Sequence, residues 1–339
     1  VPLRVDMRRV VKKAVAAPRV AGHKTAVKSA RATARQPVSD SISLTANSTT
    51  TDAFKTIAAA LLARIASQKP GVAQHDPTAV HQMRIALRRM RVVITIFAPL
   101  VHGPETERLK RELKWLTGRL GPARDLHLMD LKLRETDGAG SPAFRKRVAA
   151  DRASAFATAG RAVTDKRFDK LLADLQQWVE AAGQAQTAQE VPARAKTFAK
   201  RTLKRRAKRL IRKLDRLDEL NDEQRHRVRI AAKKLYYTAG FFEGLFDGHK
   251  SAKPLAKFSK RLKKLLDALG ALNDAAVQRD LATNVANRSG LSAKGDGKVK
   301  QAAKEAAEDL AAGGDSRDAQ LKAALKVARR LADAPIFGD

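Results

Sequence analysis

Seven histidines are the residues best suited to acid–base or metal chemistry in this chain, and their spacing serves neither. They stand at 23, 75, 81, 102, 127, 226 and 249, and none opens an H-E-x-x-H pair or another spaced ligand set. His75-Asp76 precedes Pro77 and reads as a helix-entry turn rather than a metal-dependent phosphohydrolase site. No Gly-rich phosphate loop ending in Gly-Lys-Ser/Thr occurs, nor a G-x-S-x-G elbow, and the acids are scattered. No catalytic, metal or cofactor residue is assigned, and a binding protein is expected rather than an enzyme. Two histidines instead open a block suited to anions. His81-Gln82-Met83-Arg84-Ile85-Ala86-Leu87-Arg88-Arg89-Met90 returns 145 residues later as His226-Arg227-Val228-Arg229-Ile230-Ala231-Ala232-Lys233-Lys234-Leu235, and Phe97 matches Phe242.

On a helix, at about 100° per residue, His81, Arg84, Arg88 and Arg91 share an arc of roughly 80°. Met83, Leu87, Met90, Ile94 and Phe97 flank it on one side; Ile85, Val92 and Ile96 flank it on the other. His226, Arg229 and Lys233 share the matching face, with Tyr236 where the last Arg would fall. Val228, Leu235 and Phe242 lie to one side, Ile230 and Phe241 to the other. An ordinary surface helix carries one apolar stripe with its charges opposite. Cations between two apolar stripes suit a helix packed on both sides, its bases facing a groove or pore. Unpaired, they would be costly to desolvate and would repel one another. A bound anion compensates; a solvated face, or Asp and Glu from neighbouring helices, would do so too.

A second pair of segments follows: Leu120-Gly121-Pro122-Ala123-Arg124-Asp125 against Leu269-Gly270-Ala271-Leu272-Asn273-Asp274. Their helices carry further bases, of which Lys114 and its equivalent Lys263 are candidates for ligand contact. Asp125 and Asp274 are expected to cap the helices that follow.

The elements that must hold these residues are helical throughout. Beyond Asp52, apolar residues recur at spacings of three and four, as in Leu109, Leu113, Leu116 and Leu120. Breaks fall at Pro70-Gly71, near Gly103-Pro104, at Gly138 to Pro142, Gly183 to Pro192, Gly248 to Pro254 and Gly290 to Gly297. About eight to ten helices result, which implies bundles. Residues 1–48 read as a disordered basic tail with little apolar surface to bury, and 49–335 as the helical domain. Its halves, about 49–185 and 186–335, are expected to be related by a pseudo-twofold axis.

Charge sets the class of partner. Against 68 Lys and Arg stand 35 Asp and Glu, a net +33, so polyanions are attracted over long range. Nucleic acid, an anionic membrane surface and polyphosphate are the partners to weigh. Cysteine is absent, which excludes disulfides and thiolate metal sites and fits a reducing compartment. No apolar run approaches the ~20 residues that span a bilayer, and the N-terminal stretch does not read as a secretory signal.

The block from Val80 to Arg91, its return at His226 to Phe242 and the segment Leu120 to Asp125 resemble the signature of the CHAD family, the "conserved histidine α-helical domain". The resemblance covers about 50–330. It implies two pseudo-twofold-related four-helix bundles around a basic central groove or pore. It also implies non-enzymatic binding of inorganic polyphosphate, and a cytoplasmic location at polyphosphate granules with granule-associated proteins as further partners. Carried across, phosphate contacts fall to His81, Arg84, Arg88 and Arg91, and to His226, Arg229, Lys233 and Lys234, with Arg89 as the adjacent base of the first block. Tyr236, Asn273 and His127 depart from the family's pattern. No triphosphate-tunnel domain is recognised ahead of the helices, so a stand-alone CHAD protein is expected.

The competing reading is a nucleoid-type, non-specific DNA-binding protein. The net charge, the basic tail and the basic helix from Lys200 to Lys213 favour it, and the tail is kept as a weak nucleic-acid contact. Aromatics at 4% leave few stacking platforms for single strands.

Overall fold

The computed structural model describes residues 42, 44–135, 141–182, 194–288, 317–334 and 336–337; of 273–288 and Arg317 it describes the backbone alone. Residues 1–41 and 43 of the expected tail and the side chains of Asn273 and Asp274 lie outside that description, as do residues 289–316. Among the described residues the architecture is all-α. The helices are α1 (Thr50–Ser67), α2 (Lys69–Ala73), α3 (Pro77–Ile96), α4 (Ala98–Val101), α5 (Pro104–Glu135), α6 (Pro142–Thr164), α7 (Lys166–Ala181), α8 (Ala195–Leu214), α9 (Asp222–Phe242), α10 (Ala252–Arg288) and α11 (Arg317–Ala332). A 3-10 turn at Glu243–Phe246 follows α9.

Side-chain caps start several of the helices. Thr49 and Asp52 close a capping box at α1, and Asn221 and Gln224 close one at α9, so orphan backbone N–H groups find partners. Asp76 accepts from the N–H groups of Thr78 and Ala79 at the start of α3, with Pro77 as its first residue. His75, at φ 62°, makes the left-handed turn into that cap. Asp76 and Asn221 stand 145 residues apart, so the two stripe-bearing helices begin in register.

Packing repeats with the sequence. α1 packs on α3, α3 on α5 and α5 on α6; in the second half α8 packs on α9, α9 on α10 and α10 on α11. The halves then meet like to like, α3 against α9 and α1 against α8, as a pseudo-twofold axis requires. Equivalent residues touch across it. Thr49 and Arg194, 145 residues apart, form an isolated antiparallel bridge. Phe97 and Phe242 meet edge to face with ring centroids 6.0 Å apart. Phe54 packs on Phe97 at 5.4 Å and Phe198 on Phe242 at 6.1 Å. Aromatic area of this kind, fully removed from water, dominates core energetics.

Two local expectations change. α5 runs unbroken from Pro104 to Glu135 with Pro122 inside it, and α10 from Ala252 to Arg288, so Asp125 and Asp274 both lie mid-helix and neither starts a new one. The proline forfeits one backbone hydrogen bond, and packing on α3 and α6 holds the helix through it. Leu44, placed in the tail by its polar surroundings, is only 6% exposed and joins the core.

Candidate anion-binding site

The like-with-like contact of α3 and α9 sets the two basic stripes side by side, and a cavity of about 620 Å³ opens between them. α3 lines it with Arg88, Arg91, Val92 and Thr95; α5 adds Glu107, Lys110, Arg111 and Lys114. α9 supplies His226, Arg229, Ile230, Lys233, Lys234 and Tyr237.

The cavity is electrically lopsided. Eight Lys and Arg side chains face one carboxylate, that of Glu107, and Lys110 Nζ already donates to Glu107 Oε1 at 2.6 Å. That hydrogen bond holds the Glu107 carboxyl below its usual range. Among the described residues no carboxylate pairs with Arg88, Arg91, Arg111, Lys114 or Lys234. Burial pushes the Lys234 ammonium down, and the nearby charges of Arg206 and Arg91 push it further. Cations from both halves thus crowd one space, the condition in which an anion is bound most favourably.

Seven of the sequence candidates line this cavity: Arg88, Arg91, Lys114, His226, Arg229, Lys233 and Lys234. Four do not. Arg84 is drawn down onto α5, its guanidinium 3.8 Å from Asp125. A β-carbon on Gly121 would lie 3.1 Å from Arg84 Nη1, and one on Gly270 would lie 3.6 Å from Arg229 Nη2. The glycine of each Leu-Gly segment therefore lets a guanidinium lie against the neighbouring helix. At 3.8 Å the Arg84–Asp125 pair does not offset desolvation: burial raises the Asp125 pKa despite the cations beside it, and lowers that of Arg84.

His81 sits behind the same junction. Burial, with Arg124, Arg84, Arg88 and His127 adding to it, lowers its pKa to about 4, so it is neutral at physiological pH. Arg89 is 8% exposed and lies over the Tyr237 ring at 5.6 Å, propping a cavity wall instead of facing the cavity. Lys263 donates to Asp267 one turn along α10 at 2.9 Å; the corresponding neighbour of Lys114 is Gly118, which offers no acceptor.

Other lining residues escape a reading by stripe. Ile230, expected as a buried flank, is 41% exposed and faces the cavity. Tyr237 does so where Tyr236 was the expected position; Tyr236 is half-buried and packs on Tyr237. The spacing of His226, Ile230, Lys233 and Tyr237 was the available signal, since steps of four and three also trace one face. Among the described residues, no group of three His, Asp or Glu side chains could hold a metal ion. No described helix is long and apolar enough to cross a membrane.

A family model for the CHAD domain matches residues 56–283. The chain is similar to the crystal structure of the CHAD domain from the plant Ricinus communis, with a TM-score of 0.70 at 26% identity over 86% of this chain and 97% of that one. It is also similar in fold to PptA from Streptomyces chartreusis, with a TM-score of 0.58 at 16% identity over 84% of this chain and 99% of that one. No curated protein matches.

Proposed function

The chain belongs to the CHAD domain family, and from that premise we propose that it binds inorganic polyphosphate, without chemical change, in the cavity between α3, α5 and α9. The observation that carries this reading is eight bases from both halves around about 620 Å³ with one carboxylate among them. A thin, flexible phosphate chain can enter such a space and neutralise bases on several walls at once. A rigid duplex reaches only the rim. His81 and Arg84 stand outside the cavity lining, while Arg88, Arg91, Lys114, Arg229, Lys233 and Lys234 meet phosphate. Granule association in the cytoplasm follows from retention on the polymer.

Counterion release makes either polyanion salt-sensitive, so salt does not separate polyphosphate from DNA. Competition does. Long polyphosphate should strip a labelled DNA duplex from the protein at matched phosphate concentration. Duplex that displaces polyphosphate instead would overturn the assignment.

A further inference from the structure

α8 carries more positive charge than its place in the fold requires. From Ala195 to Leu214 it contains no acid, and Arg201, Lys204, Arg205, Lys208 and Arg212 are all exposed. The opposite face packs inward through Ala199, Leu203, Ala207 and Leu210. The pseudo-twofold equivalent, α1, shows what the scaffold needs. Buried positions correspond at a spacing of 145, Ala53 with Phe198, Phe54 with Ala199, Ala58 with Leu203 and Leu62 with Ala207. At the same spacing the five exposed bases correspond to Thr56, Ala59, Ala60, Ala63 and Ser67. One copy of the helix therefore folds and packs with small uncharged residues where the other has a basic face.

The helix that carries that face packs against the cavity wall. α8 packs on α9, which lines the cavity through Lys233 and Lys234. On α8, Arg206 is half-buried and near enough for its charge to act on Lys234, and the exposed Arg205 and Arg209 act on Arg206 in turn. Positive charge thus runs from the cavity wall past Arg206 to the outer face. From Arg201 to Arg212 it continues for about 17 Å at 1.5 Å per residue. Among the described residues no carboxylate pairs with these five bases.

We propose that the exposed face of α8 carries a polyphosphate chain onward from the cavity, so that the protein grips long chains more tightly than short ones. The proposal rests on the polyphosphate reading of the cavity and adds a selector of chain length. A short chain fills the cavity alone. A long one continues across α8, where each further phosphate bound adds intramolecularly. A duplex could also lie on an exposed basic helix, but continuity with the cavity favours a chain that can occupy both.

The test gives α8 the residues of α1: Arg201→Thr, Lys204→Ala, Arg205→Ala, Lys208→Ala and Arg212→Ser in the full chain. Three of these changes introduce alanine, the best helix former, and circular dichroism checks the fold. A milder variant, Lys208→Ala/Arg212→Ser, covers the event that the fivefold one fails to fold. Tripolyphosphate and a long polyphosphate are titrated into each. Tripolyphosphate should bind the variant within about twofold of wild type, while the long chain weakens about tenfold or more. The salt slope for the long chain should shrink by about 0.7 for each phosphate that the variant no longer neutralises. The milder variant should shift the same way by less. Unchanged binding of the long chain, or equal weakening at both lengths, would overturn the proposal. So would a variant that releases duplex DNA while keeping long polyphosphate. Wild type that fails to bind tripolyphosphate and the long chain alike would instead remove the cavity reading beneath it.

Discussion

The two halves place a histidine at the same helical position and treat it differently. His81 is half-buried among Arg84, Arg88, Arg124 and His127, whereas His226 is exposed and lines the cavity. The third helices differ as well: α5 offers Lys110, Arg111 and Lys114 to the cavity, while Lys263 of α10 is paired with Asp267. The symmetry therefore belongs to the scaffold, in its caps, its glycine junctions and the aromatic contact at the axis. The binding surface is built asymmetrically upon it. A duplicated fold can keep its packing pairs while each copy of a polar position takes a separate role.

The largest expected effect tests the symmetric part. Phe97→Ala and Phe242→Ala each empty a fully buried site at the axis and should each cost about 3–5 kcal/mol in denaturant unfolding. A large cost on one side only would break the equivalence of the halves.

The histidines come next. His81 is held neutral by the fold, with a pKa of about 4 against the ordinary 6.5. As pH falls through that window the unfolded chain takes up a proton that the folded one refuses. Stability of the free protein should therefore be full above 6.5 and fall toward 4, by at most about 3 kcal/mol from this group. His127, also shifted down by burial, adds in the same direction. His81→Gln should flatten the slope; a slope that stays as steep would show that the fold does not hold this imidazole neutral.

Two smaller effects concern the cavity. Lys114→Ala should weaken polyphosphate binding several-fold, and Lys263→Ala should change it by less than about twofold, since Lys114 lines the cavity and Lys263 does not and a base away from the ligand adds only screened attraction. Glu107→Gln removes the one carboxylate among the lining residues and should strengthen binding by a few-fold or less. Weaker binding there would mean that the carboxylate positions Lys110 for the ligand.

Much of this was legible in the sequence because repetition is visible in residue types. The His-Arg-Ile-Ala blocks gave the register, and periodicity gave buried Met83, Leu87, Met90, Val228 and Leu235. What a single helix cannot reveal is how near its neighbour comes. Arg84 and Arg88 share a face, yet Gly121 lets α5 take one and leave the other exposed. Ile230 reads as core by type but is exposed and opens onto the cavity. Asp125 reads as a cap by residue type, yet α5 runs through it because tertiary packing overrides the local signal.

The central claim is that bases from both halves close on one phosphate chain. Calorimetric titration of long polyphosphate into wild type and into Arg88→Glu/Arg91→Glu/Lys233→Glu tests it most directly, with circular dichroism as the folding control. The variant should lose at least about a hundredfold in affinity, since like charges placed against a ligand cost several kcal/mol. A folded variant that binds as tightly as wild type would contradict the account.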